Sequence, residues 1–201
     1  AYDYEPLFPV VIVAYRRYFW NEILEFVHTN EEQLLKVCAN HGLTNSACGQ
    51  IFELLVISRC SLNADVSWEG FLLKKCNLIE TFRSNKLPEV MVKDGMYVPQ
   101  NCNFPAIDLI WKHGKSVCGV QVHTSDHNDV LKNFRAMCVE ANWGTEFEKI
   151  YLLFLSPDQR IADSAQRFIP EIQVSITVVA LCISSIPCLS TLQWPKQTTG
   201  N

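Results

Sequence analysis

The chain of 201 residues has no C-x-x-C pair, no uninterrupted apolar run of membrane-span length, no excess of basic charge and no internal repeat. Each lack closes a class of protein. Nine cysteines (38, 48, 60, 76, 102, 118, 138, 182 and 188) form an odd set without the paired spacing of a zinc ribbon. They read as reduced thiols packed inside a protein of the cytosol or nucleus rather than as a disulfide framework. The longest apolar stretch, 172–189, is interrupted by Ser175, Thr177, Ser184, Ser185 and Pro187. It falls short of the ~20 residues a membrane span needs and reads as strand. Lys and Arg number 17 against 21 Asp and Glu, a net charge of −4, so any basic surface must be local. Neither a G-x-x-x-x-G-K-[ST] loop nor a G-x-G-x-x-G turn occurs, which removes the familiar nucleotide cradles, and no G-x-S-x-G elbow offers a serine nucleophile. The first residues, Ala1-Tyr2-Asp3, open no basic and then apolar leader.

Apolar residues make up 48% of the chain, with eleven Phe and five Trp, enough to build a sizeable core. Over 17–40 the apolar residues fall in threes and fours, which predicts two short helices broken near Thr29-Asn30. Asn40-His41-Gly42 reads as a helix stop and Thr44-Asn45-Ser46 as capping side chains for a helix over 46–60. Trp68, Phe71, Leu72, Cys76, Ile79 and Phe82 form one stripe and predict a further helix over 65–83. From Lys86 to Asn103 the chain is turn-rich, with a short strand expected at 90–92. A helix beginning after Asp126 or Asn128 and ending near Asn142-Trp143-Gly144, a buried strand at 150–155 and another within 172–183 complete a mixed α/β order.

The clearest local feature is a hairpin, with runs at 104–111 and 116–122 joined by Lys112-His113-Gly114-Lys115. A two-residue turn at His113-Gly114 sets Asp108 opposite Gly119, on the side of the sheet that also carries Gln121 and His123. An Asp on an apolar strand is costly to bury without a partner, so Asp108 is either functional or tied to a nearby donor. Gln121 by itself reads as the polar half of a period-two strand, and Glu53 as the flank of its helix. Glu69 is a rival helix acid. Lys112 and Lys115 at the hairpin tip, with Lys74, Lys75, Arg83, Lys86 and Lys93, are the candidate phosphate-tracking cations, diluted by Glu80, Glu89 and Asp94.

Taken jointly, Gly49-Gln50-Ile51-Phe52-Glu53, Tyr97-Val98-Pro99, Asn103-Phe104-Pro105-Ala106-Ile107-Asp108 and Gln121-Val122-His123-Thr124-Ser125-Asp126-His127 fall into a known order. Over about residues 44–170 the chain resembles the nuclease-like domain shared by Crinkler effectors and trypanosomatid retrotransposon hot spot proteins. That domain is a branch of the PD-(D/E)XK restriction-endonuclease superfamily. The resemblance implies an α/β fold, a restriction-endonuclease-like central mixed sheet with a β-hairpin core flanked by helices. Its domain would occupy 44–183, after a helical segment 1–43 that looks like the tail of an ATPase domain and before a polar tail, 184–201.

In the superfamily a helix Glu, a strand Asp and a D/E-x-K element hold one or two magnesium ions, and the Lys positions water. Glu53 matches the helix acid, Asp108 the strand Asp, Gln121 the second acid and His123 the Lys. His127 matches a His common in the branch. The implied cofactor is Mg2+ or Mn2+ on Glu53, Asp108 and Gln121, with His123 near the water. The implied activity is phosphodiester hydrolysis in DNA or RNA. A neutral amide and a mostly neutral imidazole weaken it, since cations must offset the charge that develops on phosphorus. The alternative is a catalytically inactive nuclease-fold effector or chromatin-associated interaction protein. Partners implied are nucleic acid, an upstream ATPase domain or nuclear proteins, and no membrane. The place of action would be the nucleus or cytoplasm, or a host nucleus for a secreted effector.

Overall fold

The structure is a computed structural model, and it describes residues 20–39, 45–62, 66–68, 71–73, 79–83, 85–100, 104–122, 130–160, 162, 176–186 and 188–192. The helices expected over 17–40 are α1 (Trp20–Thr29) and α2 (Glu31–Ala39), and the next is α3 (Asn45–Leu62). The break at Asn30 is capped locally: its side chain and backbone N–H both donate to the Phe26 carbonyl, and its own carbonyl accepts from Leu34 N–H.

The helix expected over 65–83 is replaced by strands. These are β1 (Val66–Trp68), which pairs antiparallel with β2 (Phe71–Leu73), and then β3 (Ile79–Phe82). Trp68 pairs with Phe71 across Glu69-Gly70. Gly in a two-residue link is a hairpin signal, and it competes with the helical stripe that the same apolar residues happen to satisfy.

The short strand expected at 90–92 is absent; the strand is β4 (Gly95–Pro99). Pro99 is tolerated there because the pairing of β4 with the following strand stops at Tyr97, so no ladder partner on that side needs its missing N–H. The chain continues through β5 (Leu109–His113), β6 (Ser116–Val122), α4 (Val130–Glu140), the single turn α5 (Trp143–Glu146), β7 (Lys149–Ser156) and β8 (Ile176–Cys182), then a 3-10 turn at Ile183–Ser185.

Strands β3 to β8 form one six-stranded mixed sheet in sequential order. The pairs β4–β5 and β5–β6 are antiparallel, whereas β3–β4, β6–β7 and β7–β8 are parallel. The hairpin supplies the antiparallel centre because its link is short. Between β6 and β7 the chain has room for α4 and α5, and so the strands return parallel.

Each face of the sheet has its own apolar cluster. On one, Leu109, Trp111, Cys118, Val120, Val122, Leu153 and Leu155 meet α1, α2 and α3. On the other, Ile110, Val117, Ile150, Leu152 and Phe154 meet α4 and Trp143. Helix α3 lies between the sheet and α1, which is why residues 51–58 are buried all round; Ser58 Oγ, buried with them, donates to the Leu24 carbonyl at 2.9 Å. The first cluster also includes Trp20, Ile23, Leu24 and Val27 before α3, and Ile186, Leu189 and Leu192 after β8. The core therefore continues across both expected boundaries, 43/44 and 183/184. Among the described residues no helix is long and apolar enough to cross a membrane.

Candidate functional site

The hairpin turns one residue later than the sequence reading places it. His113 pairs with Ser116 around Gly114-Lys115, and Gly114 takes the left-handed backbone, φ 56°, that such a tight link requires. The register moves by two residues, so the parity survives and the partner changes. Leu109 faces Val120, and Asp108, one step before β5, comes opposite Gln121 instead of Gly119.

The two side chains meet. Gln121 Nε2 donates to Asp108 Oδ2 at 2.8 Å, and the Val122 backbone N–H donates to the same oxygen at 2.6 Å. Asp108 N–H in turn donates to the Val120 carbonyl at 2.8 Å. Because β5 begins only at Leu109, the carboxylate supplies the acceptor that a longer strand would have offered to Val122. Just upstream Ala106 is held at φ 75°, an uncommon conformation for a residue with a Cβ, and it turns the chain into this latch.

Glu53 approaches from elsewhere. A Cβ on Gly119 would meet the Phe134 ring of α4, so the side of β6 shared by Gly119 and Gln121 faces α4. Helix α3, which carries Glu53 at 8% exposure, packs on the opposite side with Cys118, Val120 and Val122. His123, the fourth candidate, lies outside the described residues, as do His127, Glu69, Lys74 and Lys75.

The hairpin-tip cations separate. Lys112 is buried at 8% exposure, and its Nζ donates to Asp94 Oδ1 at 2.7 Å. A lysine held this way is not the exposed phosphate contact expected of it; Lys115, next to the turn glycine, is exposed. Asp94 also accepts from Gly114 N–H at 2.9 Å, and its Oδ2 lies 3.0 Å from His113 Nδ1. The Lys112 hydrogen bond, assisted by the Gly114 N–H, holds the Asp94 carboxyl below the usual aspartate range against the opposing effect of burial. Sequence reasoning missed this clamp and treated Asp94 as diluting charge, although Asp-Gly at a strand start is a turn signal that could have located it.

The donor set bears on the implied magnesium or manganese. A carboxylate only accepts, so the Gln121 atom facing Asp108 is the amide nitrogen, a donor that stands where a cation would need oxygen. Asp108 and Gln121 are thus closed on each other, and the helix bearing Glu53 lies across the sheet. Among the described residues no group of three or more His, Cys, Asp or Glu side chains is placed to hold a metal ion. As arranged, Asp108 and Gln121 bond to each other rather than opening together toward a shared cation. Comparison with protein-family models, with curated proteins and with solved structures finds no match for this chain.

Proposed function

We propose that this chain is a nuclease-like domain that acts by binding, as an effector-type or chromatin-associated interaction module, with Asp108 retained as a structural latch. The observation that carries the reading is the double hydrogen bond to Asp108 Oδ2 from Gln121 Nε2 and Val122 N–H. It ties the strand aspartate into the ladder and sets an amide nitrogen where a metal ligand belongs. The family resemblance supplies the nuclease-like fold in this proposal; the observed mixed sheet flanked by helices is compatible with it.

A second reading, magnesium-dependent hydrolysis of DNA or RNA, is favoured by one observation: Asp108 and Gln121, the two strand positions of the resembled motif, are direct neighbours on adjacent strands. Titration calorimetry with Mg2+ and plasmid cleavage with Mg2+ or Mn2+ separate the two. The binding-module reading expects neither heat of metal binding nor cleavage at millimolar metal. Cleavage by the wild type that disappears in Asp108→Ala, with the variant's circular dichroism unchanged, overturns it in favour of the nuclease.

A further inference from the structure

Away from the hairpin, the six-stranded sheet ends in two edges of opposite character. One is β3, only four residues long, and it is guarded. Glu80 lies within it, 3.8 Å from Lys93 Nζ, and Gln100 Nε2 donates to Thr81 Oγ1 at 2.9 Å. Short length and charge are the usual means by which a sheet edge is kept from pairing with another chain.

The other edge is β8, which has none of these guards. Its seven residues, Ile176-Thr177-Val178-Val179-Ala180-Leu181-Cys182, contain no charge, no proline and no glycine. Its register with β7 runs without a bulge from Ile150 opposite Ile176 to Ser156 opposite Cys182. Among the described residues β7 is its only strand partner. Alternate residues of a parallel strand turn their N–H and C=O toward the neighbour, so the others present theirs on the outer side. The side chains are open as well: Thr177 is exposed and Val178, Val179 and Leu181 are half-buried, whereas the inner strand β7 is buried from Leu152 to Ser156. The turn that follows β8 packs Ile186, Leu189 and Leu192 onto the face held by α1 to α3.

We propose that β8 pairs antiparallel with β8 of a second copy of this chain, about a two-fold axis at Val179, so that the two sheets join into one. The occupant follows from what the edge carries. A charged edge selects a partner of opposite charge; a neutral, apolar edge is complementary to itself. Two-fold pairing sets each residue against its counterpart counted from the other end of the strand: Val179 against itself, Val178 against Ala180, Thr177 against Leu181 and Ile176 against Cys182. Odd and even residues keep to their own faces in such a register. The cluster that holds Val179 and Leu181 therefore runs on across the join, as does the one that holds Ile176, Val178 and Ala180. No pair brings like charges together, and the outward N–H and C=O groups supply the main-chain bonds.

The test uses the full chain under reducing conditions, so that thiols cannot link copies, and reads molar mass by sedimentation equilibrium over a micromolar concentration series. The expected result is a shift from the 23.0 kDa chain to twice that mass as concentration rises. Val179→Lys and Val179→Glu each set like charges face to face across the axis and are expected to stay monomeric alone. Mixed in equal amounts, the two variants are expected to regain the doubled mass, because the same register brings opposite charges into contact. Should either variant not fold, hydrogen exchange of the wild type decides: amides of 176–182 are expected to slow as concentration rises, while those of β3 do not change. A wild type that stays monomeric across the series leaves the edge to a strand of another protein and overturns the proposal. So does a doubled mass that both variants retain alone, or growth beyond two copies, since the pairing uses up the open edge.

Discussion

At the scale of single residues, Asp108 is a stabilising acceptor before it is anything else. Charge-assisted hydrogen bonds contribute about 1.5–3 kcal/mol each, and a backbone donor stripped of its partner keeps its desolvation cost. Asp108→Ala is therefore expected to lower stability by about 2–4 kcal/mol in urea unfolding. An aspartate retained only to hold a metal would instead give a variant as stable as the wild type, or more so, without metal. Gly119 supplies a second residue-scale prediction. A Cβ there would sit 2.5 Å from Phe134 Cε2, 2.7 Å from its Cζ and 2.9 Å from Ile107 Cγ2. The Phe134 ring is fully buried, so Gly119→Ala is expected to cost about 1–3 kcal/mol by overpacking, read from the same unfolding curves. That Asp108 and Gln121 share a side of the sheet was legible in the sequence, because alternation survives a register shift of two. Their direct partnership was not, since it depends on which two residues make the turn, and Lys112-His113-Gly114-Lys115 admits more than one choice.

At the scale of elements, the clamp between β4 and the hairpin tip predicts a pH dependence. The Asp94 carboxyl, held below the usual range in the fold by Lys112 and by Gly114 N–H, favours the folded state whenever it is ionised. Its contribution is thus fully present above the ordinary aspartate value, about 3.9, and is lost as pH falls through the lower folded value. Urea midpoints of wild type and Asp94→Asn are expected to differ at pH 6 and to converge below about pH 4. A gap that stays constant down to pH 2.5 would remove Asp94 from the acid response. The helices α1 to α3 were legible because their apolar residues recur in threes and fours, with polar stops between them. The segment 66–82 was not. Its apolar spacing satisfies a helix as well as three short strands, and only Gly70, between the paired residues Trp68 and Phe71, speaks for the latter. Strand β4 was hidden by Asp94-Gly95 and Pro99, which read as turn residues and in fact bound the strand at either end.

At the scale of the whole molecule, one apolar cluster is assembled from sequence that is far apart: α1 and α2, then α3, then the sheet, then the turn after β8. The sequence reading placed a polar tail from 184, because Ser184, Ser185 and Ser190 dilute Ile186, Leu189 and Leu192 below any clear period. Yet those three residues are 1%, 0% and 4% exposed. Full burial of each such side chain is worth about 1.5–3 kcal/mol, so together they approach the entire net stability of an ordinary domain. The same turn carries the Cys188 carbonyl and Thr191 hydroxyl that accept from Arg59, and both acceptors go if the turn is removed. A chain ended after Ile183 is therefore expected to lose its fixed near-ultraviolet circular dichroism and to bind anilinonaphthalene sulfonate while keeping much of its far-ultraviolet signal. A chain ended after Leu192 should unfold in one transition at a urea midpoint close to that of the full chain. Equal midpoints for both truncations would mean that residues 186–192 cover the core without holding it, and would return the boundary to 183.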